Sequence, residues 1–239
     1  MVGILEKIRL EIEEDRFISV NNPFDEKSRD YICRNVFTFE KGKIYGVICE
    51  HGGGGESISL LLTNEVSLNT EKVYFDDKQV GAADIQNVGW YLGKPLYSKF
   101  FIKREMSVRK ALNYAINKYH KYEKIDEIIN EFHLTPSRLD YGLSRNCEWE
   151  KWRASLAIGY ASNRRVYCFP WMDTLCFYDC MINSAVYCLF KKLKSEGAII
   201  ILPTSRVENI SGLVDEVIQI HSPRFEHMIS ENPYFKEYF

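Results

Sequence analysis

A glycine-rich loop between two apolar runs is the part of the sequence whose residue types most directly suggest chemistry. The apolar residues 43–49 lead into four consecutive glycines, and the run after them has helical character. A strand, a glycine loop and a helix in this order present backbone N–H groups to an anion, usually a phosphate. The candidate phosphate-contacting residues are Gly52, Gly53, Gly54, Gly55, Glu56 and Ser57.

The end of this loop lacks the side chains that phosphate chemistry requires. A working phosphate loop ends in a lysine and a small hydroxyl residue, and Gly55 and Glu56 hold those two places here. A carboxylate about 4 Å from a phosphate charge repels it by roughly 1 kcal/mol in water and about 4 kcal/mol in a protein-like dielectric. Two positions of Glu56 remain open. Its side chain faces solvent at the helix start, or its carboxylate caps the free N–H groups in place of a phosphate.

Composition and charge are those of an ordinary globular chain. The 239 residues are 46% hydrophobic and 27% charged, with a formal net charge of −2, and nothing in this balance indicates nucleic acid or an anionic membrane as partner. The N-terminus is too charged for a secretory signal, and no apolar run approaches the roughly 18 residues of a membrane span. The seven cysteines include no CxxC pair, so reduced, mostly buried thiols are expected, with no metal site.

Four short apolar runs predict buried strands, and helical patterns lie between them. The runs are 43–49, 165–170, 198–203 and 216–221, and their continuous rather than alternating character predicts a parallel sheet covered on both faces. Helices are expected at 57–66, 148–162 and 178–197, which makes this an α/β protein. The last helix carries an apolar stripe and a terminating glycine, namely Met181, Val186, Leu189, Phe190, Leu193 and Gly197.

The remaining segments predict two additions to this core. Residues 16–22 and 35–47 are expected to form an antiparallel layer with a turn at 40–42. Residues 94–142 are first basic and aromatic and then strongly helical, with Ser107 as the expected N-cap. The predicted organisation is a single domain over 1–239. Its α/β core covers about 1–92 and 156–225, its inserted helical subdomain about 93–155, and its C-terminal tail 226–239.

The order of these parts resembles the ATP-binding subunit of ABC transporters over nearly the whole chain. Residues 35–64 are similar to the family's opening strands, Walker A loop and first helix, and 73–97 to the hairpin and strand before the Q-loop. Residues 143–173 look like the signature segment, its helix and the Walker B strand, and 195–220 look like the switch region. The resemblance implies a P-loop NTPase-like (RecA-like), mostly parallel sheet with an antiparallel N-terminal layer and an inserted helical subdomain.

The residues that carry the family's chemistry are replaced at almost every motif. The places of the Q-loop glutamine, the Walker B aspartate and glutamate, the D-loop aspartate and the switch histidine fall on Gly93, Pro170, Trp171, Phe177 and Ser205. The signature's leading pair survives as Leu143 and Ser144, but Arg145, Asn146 and Cys147 follow it. A shift of register restores nothing. No lysine lies between Lys43 and Lys72, and no acid lies between Glu150 and Asp173.

This degenerate resemblance implies a non-catalytic cassette subunit with no catalytic residue and no metal. Such a subunit would bind no cofactor, or at most ATP without hydrolysis. It would pair with a second, active ABC ATPase subunit and dock on a transmembrane permease, on the cytoplasmic face of the cell membrane. The residues predicted to contact partners are Tyr97, Phe100, Phe101, Leu143 and Ser144. The aromatic tail residues Tyr234, Phe235, Tyr238 and Phe239 are expected to pack on the domain or on a partner.

Two alternatives stay open at this stage. A cassette ATPase with unconventional residues would recruit His51, Asp173 and Arg206 for binding or slow hydrolysis. A dinucleotide-binding enzyme would use the glycines together with Asp76 or Asp77, about 20 residues further on, as a ribose-binding acid. That fingerprint needs a third glycine where Ser57 stands, and the segment 75–80 is also explained by a hairpin turn.

Overall fold

The computed structural model of the chain describes residues 5–20, 28–98 and 104–221, with Ser28 described by its backbone alone. Eleven strands lie within these ranges: β1 (Lys7–Ile12), β2 (Arg16–Val20), β3 (Ser28–Ile32), β4 (Asn35–Glu40), β5 (Ile44–Ile48), β6 (Lys72–Phe75), β7 (Lys78–Val80), β8 (Gly89–Tyr91), β9 (Val166–Cys168), β10 (Ile199–Thr204) and β11 (Glu216–Gln219). Eight α-helices accompany them: α1 (Gly55–Leu61), α2 (Ala82–Val88), α3 (Val108–Tyr119), α4 (Ile125–Glu131), α5 (Glu148–Ala161), α6 (Thr174–Phe177), α7 (Tyr187–Ser195) and α8 (Val207–Ile210).

The central sheet consists of parallel strands, as the continuous apolar runs predict. Among the described residues, its order is β11-β5-β10-β9-β8, with every neighbouring pair parallel. Successive side chains of a strand point to opposite faces. Ile200 and Leu202 of β10 accordingly pack into one core with α3, α5 and α7, while Ile199 and Ile201 pack into a second core with α1 and the antiparallel layer. The central strands are therefore buried on both faces. All four predicted strands are present, but β11, at the edge of the sheet, is mostly exposed rather than buried as expected.

The antiparallel layer is confirmed, but one of its predicted members is wrong. Four strands of the described chain form it in the order β4-β1-β6-β7. β1 pairs with β4 on one side and β6 on the other, and its alternate residues Ile8, Leu10 and Ile12 are buried in the core on one face of the layer. β2, which was expected to pair with β4, instead pairs with β3 in a separate hairpin. The turn at 40–42 connects the two sheets rather than two paired strands, and Gly42 adopts φ +71° there.

The helices follow the predicted positions with one interruption. Ser107 caps α3, because its hydroxyl accepts a hydrogen bond from the Lys110 N–H. The single helix expected at 178–197 is broken. A π-helical turn at Tyr178–Asn183 ends where the Ser184 hydroxyl donates to the Cys180 carbonyl, and Ala185 then adopts φ +55° before α7 begins. The apolar stripe predicted for this segment is nonetheless buried on both sides of the break, and Gly197 ends it with φ +83°.

The length and hydropathy of the described helices can be compared with those of a membrane span. Among those within residues 5–20, 28–98 and 104–221, none combines the length and the apolar character that a membrane crossing requires.

Candidate functional site

The glycine loop lies where the sequence places it, at the carboxyl end of β5 and the start of α1. Gly52 and Gly54 adopt φ of +77° and +103°, a conformation that side chains strongly disfavour, so the loop needs glycine at these places. The Gly54 N–H and the Ser57 N–H are the donors that a phosphate would normally accept from. Both donate instead to the carboxylate of Asp30, at 2.8 Å to Oδ1 and 2.6 Å to Oδ2.

Asp30 reaches the loop from the β2–β3 hairpin, which packs on α1. The Tyr31 N–H donates to the Gly52 carbonyl at 2.8 Å, which fixes the hairpin beside the loop. Asp30 is only 2% exposed. An anion at the N-terminus of a helix is favoured by the helix dipole and satisfies donors that would otherwise lack a partner. The chain thus supplies its own carboxylate where the loop would hold a phosphate.

Glu56 follows neither of the two expectations from the sequence. It is 4% exposed, so it does not face solvent, and the Gly54 and Ser57 donors are occupied by Asp30 rather than by Glu56. Its carboxylate accepts hydrogen bonds from the Tyr91 hydroxyl on β8 and from the Trp171 N–H after β9. Burial and the Glu56 carboxylate raise the pKa of Tyr91 well above its ordinary value, so this phenol remains a donor. Glu56 therefore ties the start of α1 to the ends of two strands.

The place of the missing lysine has no room for a side chain. A Cβ on Gly55 would lie 2.6 Å from the Cys49 Sγ and 3.1 Å from the Pro203 Cβ. Trp171, at the place of the catalytic glutamate, is half-buried beside the loop. Its indole N–H donates to the Cys49 carbonyl at 3.0 Å, and its ring lies 4.9 Å from that of His51.

The segment that resembles the signature is also occupied by an internal carboxylate. It forms a 3₁₀ turn at Leu143–Arg145. The Ser144 N–H donates to the Glu105 Oε1 at 2.9 Å, and the Ser144 hydroxyl donates to the Glu105 Oε2. Leu143 is 2% exposed and packs in the core, so the prediction that it contacts a partner is wrong for its side chain. Ser144 remains at the surface with its hydroxyl engaged.

Two of the other candidate positions, Gly93 and Asp173, have structural roles. Gly93, at the place of the Q-loop glutamine, adopts φ +76°, and a Cβ there would lie 2.8 Å from the Trp152 ring. Asp173 caps α6, with its Oδ1 accepting from the Cys176 N–H at 2.7 Å. Arg206 is exposed at the start of α8. The loop, Trp171 and His51 are brought together, whereas Asp173 is already engaged as a cap.

The acids proposed for a dinucleotide site have a role in the fold. Asp76 and Asp77 adopt φ of +49° and +66° in the two-residue turn between β6 and β7. The Asp76 Oδ1 accepts from the Glu6 and Lys7 N–H groups at 3.0 and 2.8 Å. The hairpin interpretation of this segment is confirmed, and Asp76 is occupied by the backbone rather than available to a ribose.

Some predicted contact residues lie outside the described residues. These are Phe100 and Phe101 and the four aromatic residues of the tail. Tyr97 is described, and its side chain is 54% exposed. Of the seven cysteines, Cys49, Cys168 and Cys180 are buried, while Cys147 and Cys188 are exposed. Burial raises the pKa of the Cys49 and Cys168 thiols, which makes them poor nucleophiles.

Sequence reasoning missed Asp30, Tyr91 and Glu105. Asp30 lies 24 residues before Gly54, and Glu105 lies 39 residues before Ser144, so neither contact follows from local spacing. One signal was present for Asp30. Aspartate is disfavoured in strands, and its presence inside the segment 28–32 indicates a specific partner for the carboxylate.

No family model and no curated protein matches the sequence. Solved structures do match. The ATP-binding cassette MJ0796, in a dimeric post-hydrolysis state with ADP and Pi, is 11% identical over 89% of this chain and 94% of that chain, with a TM-score of 0.63. cbiO1 from Clostridium perfringens, part of the ABC transporter complex cbiONQ, is 13% identical over 97% and 94%, with a TM-score of 0.62.

A larger protein contains the same fold. A bacterial Atm1-family ABC exporter with ATP bound is 12% identical over all of this chain and 42% of that chain, with a TM-score of 0.63. The central parallel sheet with its glycine loop defines the P-loop NTPase class of folds. Within that class, the antiparallel layer and the inserted helices give the fold of ABC transporter ATP-binding cassettes, as the sequence resemblance implies.

The described residues do not fit the ATP and magnesium that this fold implies. The loop donors at Gly54 and Ser57 are occupied by Asp30, and Gly55 has no space for the lysine side chain. Two buried carboxylates, Asp30 and Glu56, stand where the phosphates would add further negative charge. No group of three metal-ligating side chains occurs within the described ranges.

Proposed function

We propose that this protein is a non-catalytic cassette subunit of an ABC transporter, which pairs with an active ATPase subunit and docks on a membrane permease. The observation that carries the proposal is the Asp30 carboxylate on the loop donors, at 2.8 and 2.6 Å. Hydrogen bonds to a charged group contribute about 1.5–3 kcal/mol each. A phosphate would have to displace Asp30 and lose these bonds before it could form its own.

Three further features support the loss of hydrolysis. A lysine at Gly55 would overlap Cys49, and Glu56 is committed to Tyr91 and Trp171. Trp171 has no group that can act as a base or bind a metal. A positioned base and charge-stabilising donors each contribute on the order of 10² to 10⁴ in rate, so the absence of both leaves little turnover.

Two observations support pairing with a second cassette: the assemblies of similar solved structures and an exposed apolar surface on this chain. The solved cassettes of the same fold include a dimer and a component of a multi-subunit transporter complex. In this chain, apolar side chains are exposed at Leu175 (71%) and Tyr178 (54%), on α6 and the π-helical turn. These elements follow β9 at the carboxyl end of the parallel sheet, the end at which the glycine loop follows β5. An exposed leucine and tyrosine on one face support contact with another protein. Position on the cytoplasmic face of the membrane would follow from docking on the permease.

Nucleotide binding and hydrolysis by the purified chain test the first half of the proposal. Thermal unfolding with 1 mM Mg-ATP should show no stabilisation, because a ligand that binds with a dissociation constant far above its concentration does not shift the folding equilibrium. ATP hydrolysis should stay at background, and Trp171→Glu should not restore it. Magnesium-dependent hydrolysis by the wild-type chain, lost in an Asp173→Asn or His51→Ala variant, would contradict the proposal and favour an ATPase with unconventional residues.

A further inference from the structure

A cavity lies at the end of the parallel sheet opposite the glycine loop. The residues before three neighbouring strands line it: Lys41 ahead of β5, Arg164 and Arg165 ahead of β9, and Ala198 ahead of β10. Lys121, from the turn between α3 and α4, also lines the cavity. The cavity volume is about 420 Å³. The glycine loop follows the carboxyl end of β5, so this cavity is separate from the site described above.

The cavity collects more positive than negative charge. Four cations line it, Lys41, Lys121, Arg164 and Arg165, against a single lining acid, Glu196. Lys41 is paired with the exposed Glu6 at 2.9 Å, and Lys121 is paired with Glu196 at 3.0 Å. Within the described residues, no ion pair is formed by Arg164 or Arg165.

The helix ends near this cavity offset only part of that charge. α5 ends at Ala161 and α7 at Ser195, and a helix C-terminus acts as roughly half a negative charge. Two such ends together balance about one of the two unpaired arginines. An excess of about one positive charge therefore remains in a concave space, where burial weakens its contact with water.

Arg164 is half-buried without full compensation of its charge and hydrogen-bonding groups by the described residues. Its guanidinium donates through Nη1 to the Gln86 carbonyl and lies 5.9 Å from the Trp90 ring, so it is held in place. Its buried Nε has no hydrogen-bond acceptor in the described structure. Burial lowers the pKa of Arg164. It also lowers the pKa of Lys121, although Glu196 accepts a hydrogen bond from that lysine. Both cations would be stabilised by an added negative charge.

We propose that this cavity binds a small polyanion, a molecule that carries a phosphate or several carboxylates, through Arg165, Arg164 and Lys121. Arginine binds phosphate and carboxylate oxygens through paired N–H donors, which suits an anion of this class. The cations converge on one concave space instead of forming a stripe, and the whole chain is weakly acidic with a net charge of −2. These two features favour a small molecule over nucleic acid or a membrane surface.

Calorimetric titration of the full chain with pyrophosphate, and separately with citrate, tests this proposal. We expect saturable binding of at least one of them, weakened at least tenfold in Arg165→Ala and weakened by added salt, because the contact is electrostatic. Arg165 is half-buried and forms no ion pair within the described chain, so its removal should leave the fold intact. Lys78→Ala, which removes an exposed cation at the start of β7, is the matched control and should bind as wild type does.

The outcomes separate this site from the glycine loop and from other partners. If Arg165→Ala binds both anions as tightly as wild type, the anion sits elsewhere and the proposal is wrong. Equal weakening in Arg165→Ala and Lys78→Ala would indicate only a general charge effect and would also overturn it. Binding to anionic lipid vesicles or an acidic peptide, without binding to either small anion, would assign the cavity to another class of partner and reject a small-molecule site. Because the Arg165 variant does not touch the loop, the result is independent of the proposed cassette function.

Discussion

At the scale of single residues, carboxylates of the chain itself accept hydrogen bonds in the segments where the resemblance places contacts to a nucleotide. Among the described side chains, Asp30 accepts from the loop donors, Glu56 from Tyr91 and Trp171, and Glu105 from the signature-like turn at Ser144. A buried donor without a partner costs about 1–3 kcal/mol, so these loop donors need an acceptor whether or not a phosphate is present. These internal contacts remove that cost and make the nucleotide unnecessary for the stability of the loop.

Removal of the buried Asp30 carboxylate should lower the stability of the protein. Asp30→Ala leaves the Gly54 and Ser57 N–H groups without an acceptor, so we expect the free energy of unfolding to fall by about 2–4 kcal/mol in urea denaturation. Asp30→Asn keeps one oxygen as an acceptor and should lose about half as much. Asp77→Asn, at a side chain 70% exposed, is the control and should stay close to wild type, because asparagine tolerates the positive φ of this turn. Equal stability of Asp30→Ala and wild type would show that the contact does not hold the loop.

The lack of space around Gly55 predicts that a side chain there destabilises the fold, and Gly81 provides a matched control. In Gly55→Ala the new Cβ would lie 2.6 Å from the Cys49 Sγ, and overpacking of this kind costs about 1–3 kcal/mol in unfolding free energy. A Cβ on Gly81 meets nothing within 4 Å, so Gly81→Ala should change stability by less than about 0.5 kcal/mol. Urea denaturation of both variants measures the difference. Two equally mild substitutions would mean that the loop has room for a side chain and that the lysine was lost for another reason.

At the scale of elements, the sequence predicts those parts whose signal is local. The runs around Ile44, Val166 and Ile200 predict the parallel strands because each is short, apolar and bounded by charge. The β2–β3 hairpin could not be placed in the same way, since its position over α1 depends on contacts far apart in the chain. The break at Ala185 was also missed, because the apolar stripe continues on both sides of it and only the sign of the Ala185 φ angle changes. Local sequence therefore predicts the glycine loop but does not identify Asp30 as the acceptor for its N–H groups.

Acid should loosen the hairpin that carries Asp30. Arg16 at the start of β2 donates to the carboxylate of Glu71, which has no exposed side-chain surface. Burial alone would raise the pKa of Glu71, but the hydrogen bonds from Arg16 and the Asn69 N–H outweigh it and hold the pKa below 4.5. The stabilisation is therefore complete above the ordinary carboxyl pKa and is lost as the pH falls through the lowered value.

Glu71→Gln should remove this acid-sensitive contribution. At pH 7 we expect it to lower the unfolding free energy by about 1.5–3 kcal/mol, the range for hydrogen bonds to charged groups. Below the ordinary carboxyl pKa the wild type should lose stability more steeply than the variant, and the two curves should approach each other as the pH falls through the lowered pKa of Glu71. Glu13→Gln, which breaks the exposed pair with Lys72, is the control and should leave the acid profile nearly unchanged. Parallel wild-type and Glu71→Gln curves across this range would contradict the role assigned to the Arg16–Glu71 pair.

At the scale of the whole molecule, the chain has the cassette fold, whereas the sequence resemblance implies that the family's reactive side chains are replaced. The central sheet, the glycine loop, the antiparallel layer and the inserted helices are all present in the described ranges. The proposed pairing with an active subunit would explain such a combination, because a partner subunit binds the surface of the fold and does not need its reactive side chains. The exposed face of α6, after β9 at the carboxyl end of the parallel sheet, is where this proposed pairing can be tested without reference to catalysis.

Substitution of Leu175 tests that surface directly. Leu175 is 71% exposed on α6, which begins at the Asp173 cap shortly after β9, and Leu175→Asp should leave the fold intact because the side chain has little to lose. A tagged wild-type chain purified from its source should bring down a second ATPase subunit and a multi-span membrane protein, identified by mass spectrometry. We expect Leu175→Asp to reduce recovery of the ATPase subunit at least tenfold, because a charge would be buried in an apolar contact. Val36→Asp, at a residue 56% exposed on β4 of the antiparallel layer, should recover both as wild type does. Undiminished recovery with Leu175→Asp would exclude this face from the pairing, and the absence of any ATPase subunit with the wild type would count against the proposed function itself.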